Sequence, residues 1–513
     1  MNDLGGLGTI MKGKVHMFNR RSFLKGTAWM GAAVLTGGCM TDGFRICGNG
    51  GSMQGFACAP LKRVRVGLIG LGSRGMGAAL RLPKIPGVEL VAIAEVRGAR
   101  IDLAKKAFAE ENLVFPKHVY GKGDADGWKQ MCERDDVDVI YSATPWQLHV
   151  ATGLYAMECG KHVFIEVPAA MTLDDCWALV EKSEETRRHC MQLENCCYGE
   201  AEMFALNLCR QGVLGEIVHG EGAYIHNLTI EDYMPEHLDQ RHGCGYYDYW
   251  RLRWNETHKG NQYPTHGLGP VCQYMNINRG DRMDYLVSLE SNQYNMEAYA
   301  AEAFPKGSWQ AKTKVEMGDM NTTLVKTVKG RSITILHDVS SPRPYSRVNL
   351  ISGTKGILEG TYFPEDMSPV TGGCYCKFGW RESLKDPLHE FFGEKKAAEM
   401  RLEYRHPLWK QAGELAKVVG GHGGMDFLMD LRWVYCLQNG LPLDMDVYDL
   451  ASWCAVCELS ERSVRSGSKP QDVPDFTCGG WKTAKPLAIE GIDMTKMGFD
   501  RSKLEQSKGQ MNI

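Results

Sequence analysis

The sequence predicts an α/β fold: a Rossmann-type, doubly wound parallel sheet at the N-terminal end, followed by an α+β half with an open, largely antiparallel sheet. Three observations predict it. Val64-Arg65-Val66-Gly67-Leu68-Ile69 alternates into a buried strand and runs straight into Gly70-Leu71-Gly72-Ser73-Arg74-Gly75, with helical character behind it from Met76. Apolar runs then alternate with helical stretches as far as Asn195, the pattern of a sheet built from βαβ units. Beyond Gly199 a helix gives way to strands at 216–226, 284–290, 322–328, 332–338 and 347–352, with Val328-Lys329-Gly330-Arg331 as a hairpin turn.

The first strand is preceded by an address rather than by structure. Asn19-Arg20-Arg21-Ser22-Phe23-Leu24-Lys25 leads into a mildly apolar run without the period of a packed helix, which predicts export by the twin-arginine route to the periplasm or cell envelope. Leu35-Thr36-Gly37-Gly38-Cys39 resembles a lipoprotein cleavage box with threonine in an aliphatic place, so a lipid anchor at Cys39 stays open. On this reading residues 1–40 are the leader and 41–60 a Gly-rich tether. Residues 61–196 then form the cofactor domain, 197–405 the second domain, and 406–513 a helical part packed on that second domain with a loose tail.

A chain of 513 residues is long enough for such domains, and a net charge of −3 leaves no basic stripe for nucleic acid. No stretch after the leader has the ~20 apolar residues of a membrane span. The 18 cysteines are scattered through apolar segments and read as buried thiols, which suits a protein that folds, and loads a cofactor, before export. Cys196-Cys197, Cys374/Cys376 and Cys454/Cys457 lack a second pair at zinc spacing, so no metal site is predicted.

In the glycine loop, Gly70 permits the tight turn, Gly72 lets backbone approach a pyrophosphate, and Gly75 packs helix on strand. A second strand at 88–94 ends at Glu95, where a carboxylate accepts from ribose hydroxyls and repels a 2′-phosphate. This favours NAD over NADP; Arg97 and Arg100 temper the preference, and a solvated strand end is the plain alternative for Glu95. Later strand ends bring Thr144-Pro145-Trp146-Gln147-Leu148-His149, Glu166-Val167-Pro168 and Glu194-Asn195 to the same edge. A helix after Thr172 has Asp175 in capping position.

A strand-end Thr-Pro, a following Glu-x-Pro and a helix-then-sheet second half resemble the superfamily of glucose-fructose oxidoreductase and inositol dehydrogenase. Its net dehydrogenases carry Glu-Lys-Pro, whereas Val167 takes the lysine place here, which counts against plain alcohol oxidation. The chain is more similar, over nearly its whole length beyond the leader, to the NAD-dependent α-N-acetylgalactosaminidases of glycoside hydrolase family 109. The stretches that carry this are Glu166-Val167-Pro168-Ala169-Ala170, Glu194-Asn195-Cys196-Cys197-Tyr198, Gly222-Ala223-Tyr224-Ile225-His226, Tyr263-Pro264-Thr265-His266-Gly267-Leu268-Gly269-Pro270, Asn276-Ile277-Asn278-Arg279-Gly280-Asp281 and Ser341-Pro342-Arg343-Pro344-Tyr345-Ser346-Arg347.

The resemblance implies NAD contacts at Ser73, Arg74, Glu95, Trp146, Gln147, Leu148, His149, Glu166, Val167 and Asn195. Glu95 stands where the family usually has aspartate. It implies a glycan substrate with terminal N-acetylgalactosamine, contacted by Tyr224, Arg251, Tyr263, Pro264, Thr265, His266 and Tyr345, with Tyr263 facing both ligands. It also implies a redox-neutral hydrolysis, in which oxidation at C3 acidifies the C2 proton, the aglycone leaves by elimination, water adds, and C3 is reduced again.

Such a cycle needs a group for the C3 hydroxyl proton and a base for C2. Tyr263 and His266, three apart in a Pro/Thr/Gly-rich segment that reads as a loop, suit the two jobs; Tyr224 or His226 could hold either. A tyrosine base would need its pKa lowered, by Arg251 or the positive nicotinamide. Pro342-Arg343-Pro344 would fix the direction of Tyr345, while His219, His389 and His422 read as structural. The tract Tyr246-Tyr247-Asp248-Tyr249-Trp250 is either a sugar-stacking face or a seal between domains. Net sugar oxidoreduction and NAD-retaining sugar binding without turnover are the competing functions, and an exposed sheet face allows a homo-oligomer.

Overall fold

The computed structural model describes residues 51–241, 245–360, 376–488 and 490–499; the twin arginines, Cys39, the tether up to residue 50, Cys374 and the chain beyond 499 lie outside them. The first half runs β1 (Val64–Ile69), α1 (Ser73–Arg81), β2 (Val88–Ala94), α2 (Gly98–Glu110), β3 (His118–Tyr120), α3 (Trp128–Cys132), β4 (Val139–Ser142), α4 (Trp146–Glu158), β5 (His162–Ile165), α5 (Leu173–Thr186) and β6 (Cys190–Gln192). Its six strands lie in the order β3-β2-β1-β4-β5-β6, all parallel. Strands buried on both faces read as apolar runs, as β1, β4 and β5 do. The order reverses between β1 and β4, which opens a crevice at the carboxyl ends of those strands. The Thr172 side chain accepts from Asp175 N at 3.1 Å and caps α5, a contact worth about 1 kcal/mol.

The second half runs α6 (Glu200–Arg210), β7 (Ile217–Ile225), α7 (Thr229–Tyr233), α8 (Trp250–Asn255), α9 (Thr265–Tyr274), β8 (Met283–Glu290), α10 (Asn295–Ala303), β9 (Asn321–Thr327), β10 (Ser332–Asp338), β11 (Leu350–Gly353), β12 (Gly356–Glu359) and β13 (Lys377–Trp380). Then come α11 (Glu394–Glu403), α12 (Pro407–Val419), α13 (Met425–Asn439), α14 (Val447–Arg465) and β14 (Gln471–Asp472). Eight strands form one sheet, β13-β12-β11-β7-β10-β9-β8-β14, antiparallel except between β7 and β10. Strand β11 begins at Leu350 rather than at 347, because Val348 and Asn349 sit in the left-handed region with φ of 58° and 55°.

Three expectations change. Residues 51–60 do not behave as a tether: Met53 is buried with its amide bonded to Tyr448 Oη at 2.9 Å, and Phe56 packs on the His189 ring. An apolar residue every few positions suffices to pin a Gly-rich segment when a groove awaits it. The helices after 406 pack on both halves, not on the second alone. Trp433 of α13 stacks on Phe164 of β5 at 4.3 Å, and α14 lies against α5 as well as β8. Residues 467–488 and 490–499 are no loose extension, since β14 pairs with β8 and Val473, Phe476, Ile492 and Met494 are buried.

Core cysteines such as Cys132, Cys176, Cys190, Cys197 and Cys454 are unpaired buried thiols. Among the described residues no helix is long and apolar enough to cross a membrane.

Candidate active site

The glycine loop bends where the crevice opens. Gly70 adopts φ +91°, and a Cβ on Gly75 would collide with the Gly70 carbonyl oxygen, so helix α1 can sit this close to β1 only through glycine. Around Gly72 there is open space, nothing lying within 4 Å of a Cβ placed there. The free amides of the first turn of α1, from Ser73 on, face that space, which is the donor set a pyrophosphate needs.

Glu95, buried at the end of β2, accepts from Leu71 N at 2.7 Å and from Arg97 N at 2.9 Å and Nε at 2.8 Å. Burial opposes its ionisation, but the Arg97 hydrogen bonds and charge outweigh it and hold the carboxyl below the ordinary range. Glu95 is thus an anionic acceptor and no solvated strand end. Neither neighbouring arginine is free to take a 2′-phosphate. Arg97 is shared between Glu95 and Glu236, and Arg100 donates to Leu71 O and Gln240 O, both at 2.7 Å. The open glycine turn, the helix amides and the ribose-type carboxylate together fit a dinucleotide without a 2′-phosphate.

Further along the edge, Arg74 turns away from the phosphate position. Its Nε donates to Glu166 Oε1 at 3.0 Å and its Nη1 to Asp426 Oδ2 at 2.8 Å. Asp426, on α13, also accepts from Asn195 Nδ2 at 2.5 Å and lies 3.0 Å from His422 Nδ1. Burial would neutralise this carboxyl, yet the charge of Arg74, with His422, holds it well below the carboxylate range. His422 therefore stands on the rim of the site instead of being a bystander. Its signal in the sequence is the bend Gly420-Gly421-His422-Gly423-Gly424, in which all four glycines adopt positive φ.

Helix α4 starts at Trp146, so Gln147 and Leu148 sit exposed in its first turn. The His149 ring is buried between two carbonyls, Nδ1 2.8 Å from Pro168 O and Nε2 2.8 Å from Thr144 O, with burial lowering its pKa. It braces the two strand-end turns from behind rather than reaching a ligand. Trp146 Nε1 donates to Val167 O at 3.3 Å, and Val167, in the place of the dehydrogenase lysine, is buried in the same apolar cluster as Trp146, Tyr224 and Tyr263.

Tyr263 lies in the loop that leads into α9, as expected, but His266 does not. Pro264 is the N-cap of α9, whose first turn carries Thr265 and His266. The glycines that suggest a loop serve contact: a Cβ on Gly267 would strike Ala223 N, and one on Gly222 would strike Gly267 O, so α9 lies backbone to backbone on β7. That contact brings Tyr263 against Tyr224 of β7, their rings stacked at 4.2 Å and 27°.

His266 donates from Nδ1 to Glu194 Oε1 at 2.7 Å, and Glu194, fully buried after β6, also accepts from Cys196 N at 3.0 Å. The largest influence on Glu194, burial, disfavours its charge, but His266 overcomes this and keeps the carboxyl ionised, below its ordinary range. Fixing Nδ1 leaves His266 Nε2 without a partner among the described residues, so this nitrogen is the one available as a base. Ligand-type atoms of Glu194, Cys196 and His266 lie within 4.8 Å of one another, but the Glu194–His266 hydrogen bond spends the two groups on each other.

Around this dyad the walls are aromatic. Tyr224 Oη is 3.0 Å from His226 Nδ1, and Tyr345 stands edge-on to the His226 ring at 5.1 Å, its hydroxyl accepting from Arg347 Nη1 at 3.2 Å. Burial raises the phenols of Tyr224, Tyr263 and Tyr345 above the usual value, Arg251 opposing this at the first two, so all three are neutral donors. His226 is driven down to about 4 by burial and then by Arg251, so it too is neutral. Arg251 lies over the rings of Trp146, Tyr263 and Tyr224 at 5.2, 5.3 and 5.8 Å, and its buried Nε has no partner. In the tyrosine tract, Trp250 packs on Trp146 at 4.9 Å and Tyr247 lies under Arg97, which makes the tract mainly a seal between the halves.

Sequence reasoning brings together Tyr224, Arg251, Tyr263, Pro264, Thr265, His266 and Tyr345 in one cleft, and the glycine loop, Glu95, Glu166 and Asn195 along its other side. It misses Glu194 as the partner of His266, Asp426 and Glu236. Strand-end placement of Glu194 was the available signal; for Asp426 and Glu236 there was none.

Comparison with known proteins agrees with this geometry. Residues 198–483 match the model described as glycosyl hydrolase 109, C-terminal domain, and residues 64–193 match that of the oxidoreductase family, NAD-binding Rossmann fold. A Shewanella protein named glycosyl hydrolase family 109 protein 2 is 44% identical over 478 residues, 92% of this chain and 99% of that one. A Bacteroides fragilis protein named alpha-N-acetylgalactosaminidase is 47% identical over 430 residues, 83% of this chain and 95% of that one. Among solved structures, the apo form of levoglucosan dehydrogenase shares the fold at a TM-score of 0.59 and 17% identity, covering 81% of this chain and 100% of that one.

Proposed function

This chain belongs to glycosyl hydrolase family 109, and from that premise we propose that it hydrolyses terminal α-N-acetylgalactosaminides by oxidation at C3, elimination, water addition and re-reduction. The enzyme is a glycoside hydrolase with an NAD-binding domain, and the glycine loop, α1 amides, Glu95, Glu166 and Asn195 are the groups that would hold NAD. Bound NAD supplies a reversible oxidation of the sugar, unchanged at the end of each turnover.

The remaining work falls to side chains. With C3 at the ketone level, the C2 proton is acidic, and His266 Nε2 takes it while Glu194 stabilises the imidazolium through Nδ1. The electron pair of the C2–H bond forms the C1–C2 double bond, and the C1–O bond to the aglycone breaks. Water then adds its oxygen to C1, the proton it releases balances the one the departing aglycone oxygen takes up, and His266, its proton exchanged with solvent, reprotonates C2. The Tyr263 phenol, neutral and against Tyr224, donates a hydrogen bond to the C3 oxygen, whose own proton passes to solvent at the oxidation and is returned from solvent at the re-reduction, and Arg251 with the aromatic walls clamps the ring. The observation that carries this reading is the buried Glu194–His266 hydrogen bond beside the stacked tyrosines.

The test is release of p-nitrophenol from p-nitrophenyl α-N-acetylgalactosaminide in deuterium oxide, with NMR of the sugar and absorbance at the NADH wavelength. Cleavage with deuterium at C2 and no net NADH is expected. Cleavage without C2 exchange overturns the mechanism, and steady NADH from free sugars without cleavage overturns the hydrolase reading in favour of an oxidoreductase.

A further inference from the structure

The segment that follows α7 leaves the second half and crosses to the outer side of the crevice. Its base is closed by a bridge between Pro235 and Tyr246. From there Glu236 pairs with Arg97, and the carbonyls of His237 and Gln240 accept from Arg100 Nη1 at 3.4 and 2.7 Å. Arg241 reaches the far end of α2, pairing with Glu110 and, at 3.0 Å, with Glu111. The Tyr247 ring, on the return, lies 4.9 Å from the Arg97 guanidinium.

The two arginines gripped in this way are those of the ribose edge. Arg97 holds Glu95 in place, and the buried Arg100 donates from Nε to Leu71 O, inside the glycine loop itself. A nucleotide leaving along that edge must part the segment from α2, breaking ion pairs at both ends and the Arg100 clasp between them. A Rossmann edge built for an exchanging cofactor has no use for such a tie, whereas a cofactor returned unchanged after every turnover never needs to leave.

We propose that residues 236–241 form a strap that retains the adenosine half of NAD, with Glu236 and Arg241 as its two anchors. The inference rests on the reading that NAD is regenerated in each turnover. Catalysis itself does not pass through the strap; its function is to slow release, and changes of this kind fall on the dissociation rate.

Glu236→Ala, Arg241→Ala and the double variant are compared with the unaltered protein. Each is loaded with NAD and passed through gel filtration, and the NAD retained is acid-extracted and quantified against time. The expected result is release about tenfold faster in each single variant and faster still in the double. Equal release rates in all four proteins overturn the strap. Arg241 is tied only to the surface of α2, so its variant carries the test alone if the Glu236 variant does not fold, a melting curve with saturating NAD serving as the control. Net NADH accumulation by the unaltered protein would instead defeat the regeneration reading, whatever the release rates show.

Discussion

The two sides of the cleft are built on opposite plans. Along the ribose edge most charges are answered by another from the protein, Glu95 by Arg97, Arg97 by Glu236, Arg74 by Glu166 and Asp426, Arg81 by Asp430, while Arg100 is met by backbone carbonyls. On the sugar side the groups are left with free valence: His266 Nε2 lacks a partner, Arg251 Nε is buried without one, and no hydrogen bond among the described residues holds the Tyr263 hydroxyl. The difference separates holding from reacting. A saturated network fixes position, because each member costs desolvation energy that only its partners offset. An unsaturated one keeps donors and acceptors available for a substrate that supplies the missing bonds.

That contrast can be broken at its strongest point. His266→Asn keeps a donor for Glu194 but removes the base, and kcat should fall by about 10³-fold with NAD content unchanged. If NAD content falls along with kcat, His266 belongs to the holding side and the division fails. Glu194→Gln is gentler, leaving the base but not the carboxylate behind it. We expect kcat to drop about a hundredfold with little change in KM, since Glu194 is a positioning residue sealed from the substrate. A proportional rise in KM would make it a binding residue instead.

The smallest effect is expected where neither plan applies. His162 and His189 are buried side by side behind β5 and β6, and burial drives them down to about 4 and about 3. Both therefore fold uncharged, whereas the unfolded chain protonates them near 6.5. Stability is full above that value and declines as pH falls toward 4, by about 1.4 kcal/mol per pH unit for each histidine in that interval. Urea melts at pH 7 and pH 5 should show the decline, and His189→Gln should lessen it. A decline of the same size in the variant would assign the acid lability to another group.

How far these plans are legible in the sequence depends on the range of the contacts. The first sheet was readable because its evidence is local: a six-residue apolar strand, a glycine turn and a carboxylate at a fixed distance beyond it. The residues of the sugar side are readable as motifs, but the helix that begins at Thr265 and carries His266 is not. Gly267 and Gly269 suggest a loop in isolation and become contact residues only when β7 is set beside them. The pairing of Glu194 with His266 spans 72 residues and that of Arg74 with Asp426 spans 352. No periodicity encodes such a partner, and an acidic residue on an apolar helix gives no hint of which cation it will meet.

The docking of α13 limits how this protein can be taken apart. The stretch that matches a nucleotide-binding model stops at residue 193, yet Arg74 and the buried Arg81 find counter-charges in Asp426 and Asp430, more than two hundred residues further on. A chimera that grafts residues 64–193 onto a foreign second half would inherit Arg81 with nothing opposite it and Arg74 with Glu166 as its one counter-charge. Exchange of the nucleotide half must therefore carry this late helix with it, the two forming one unit written in two separate pieces of the chain.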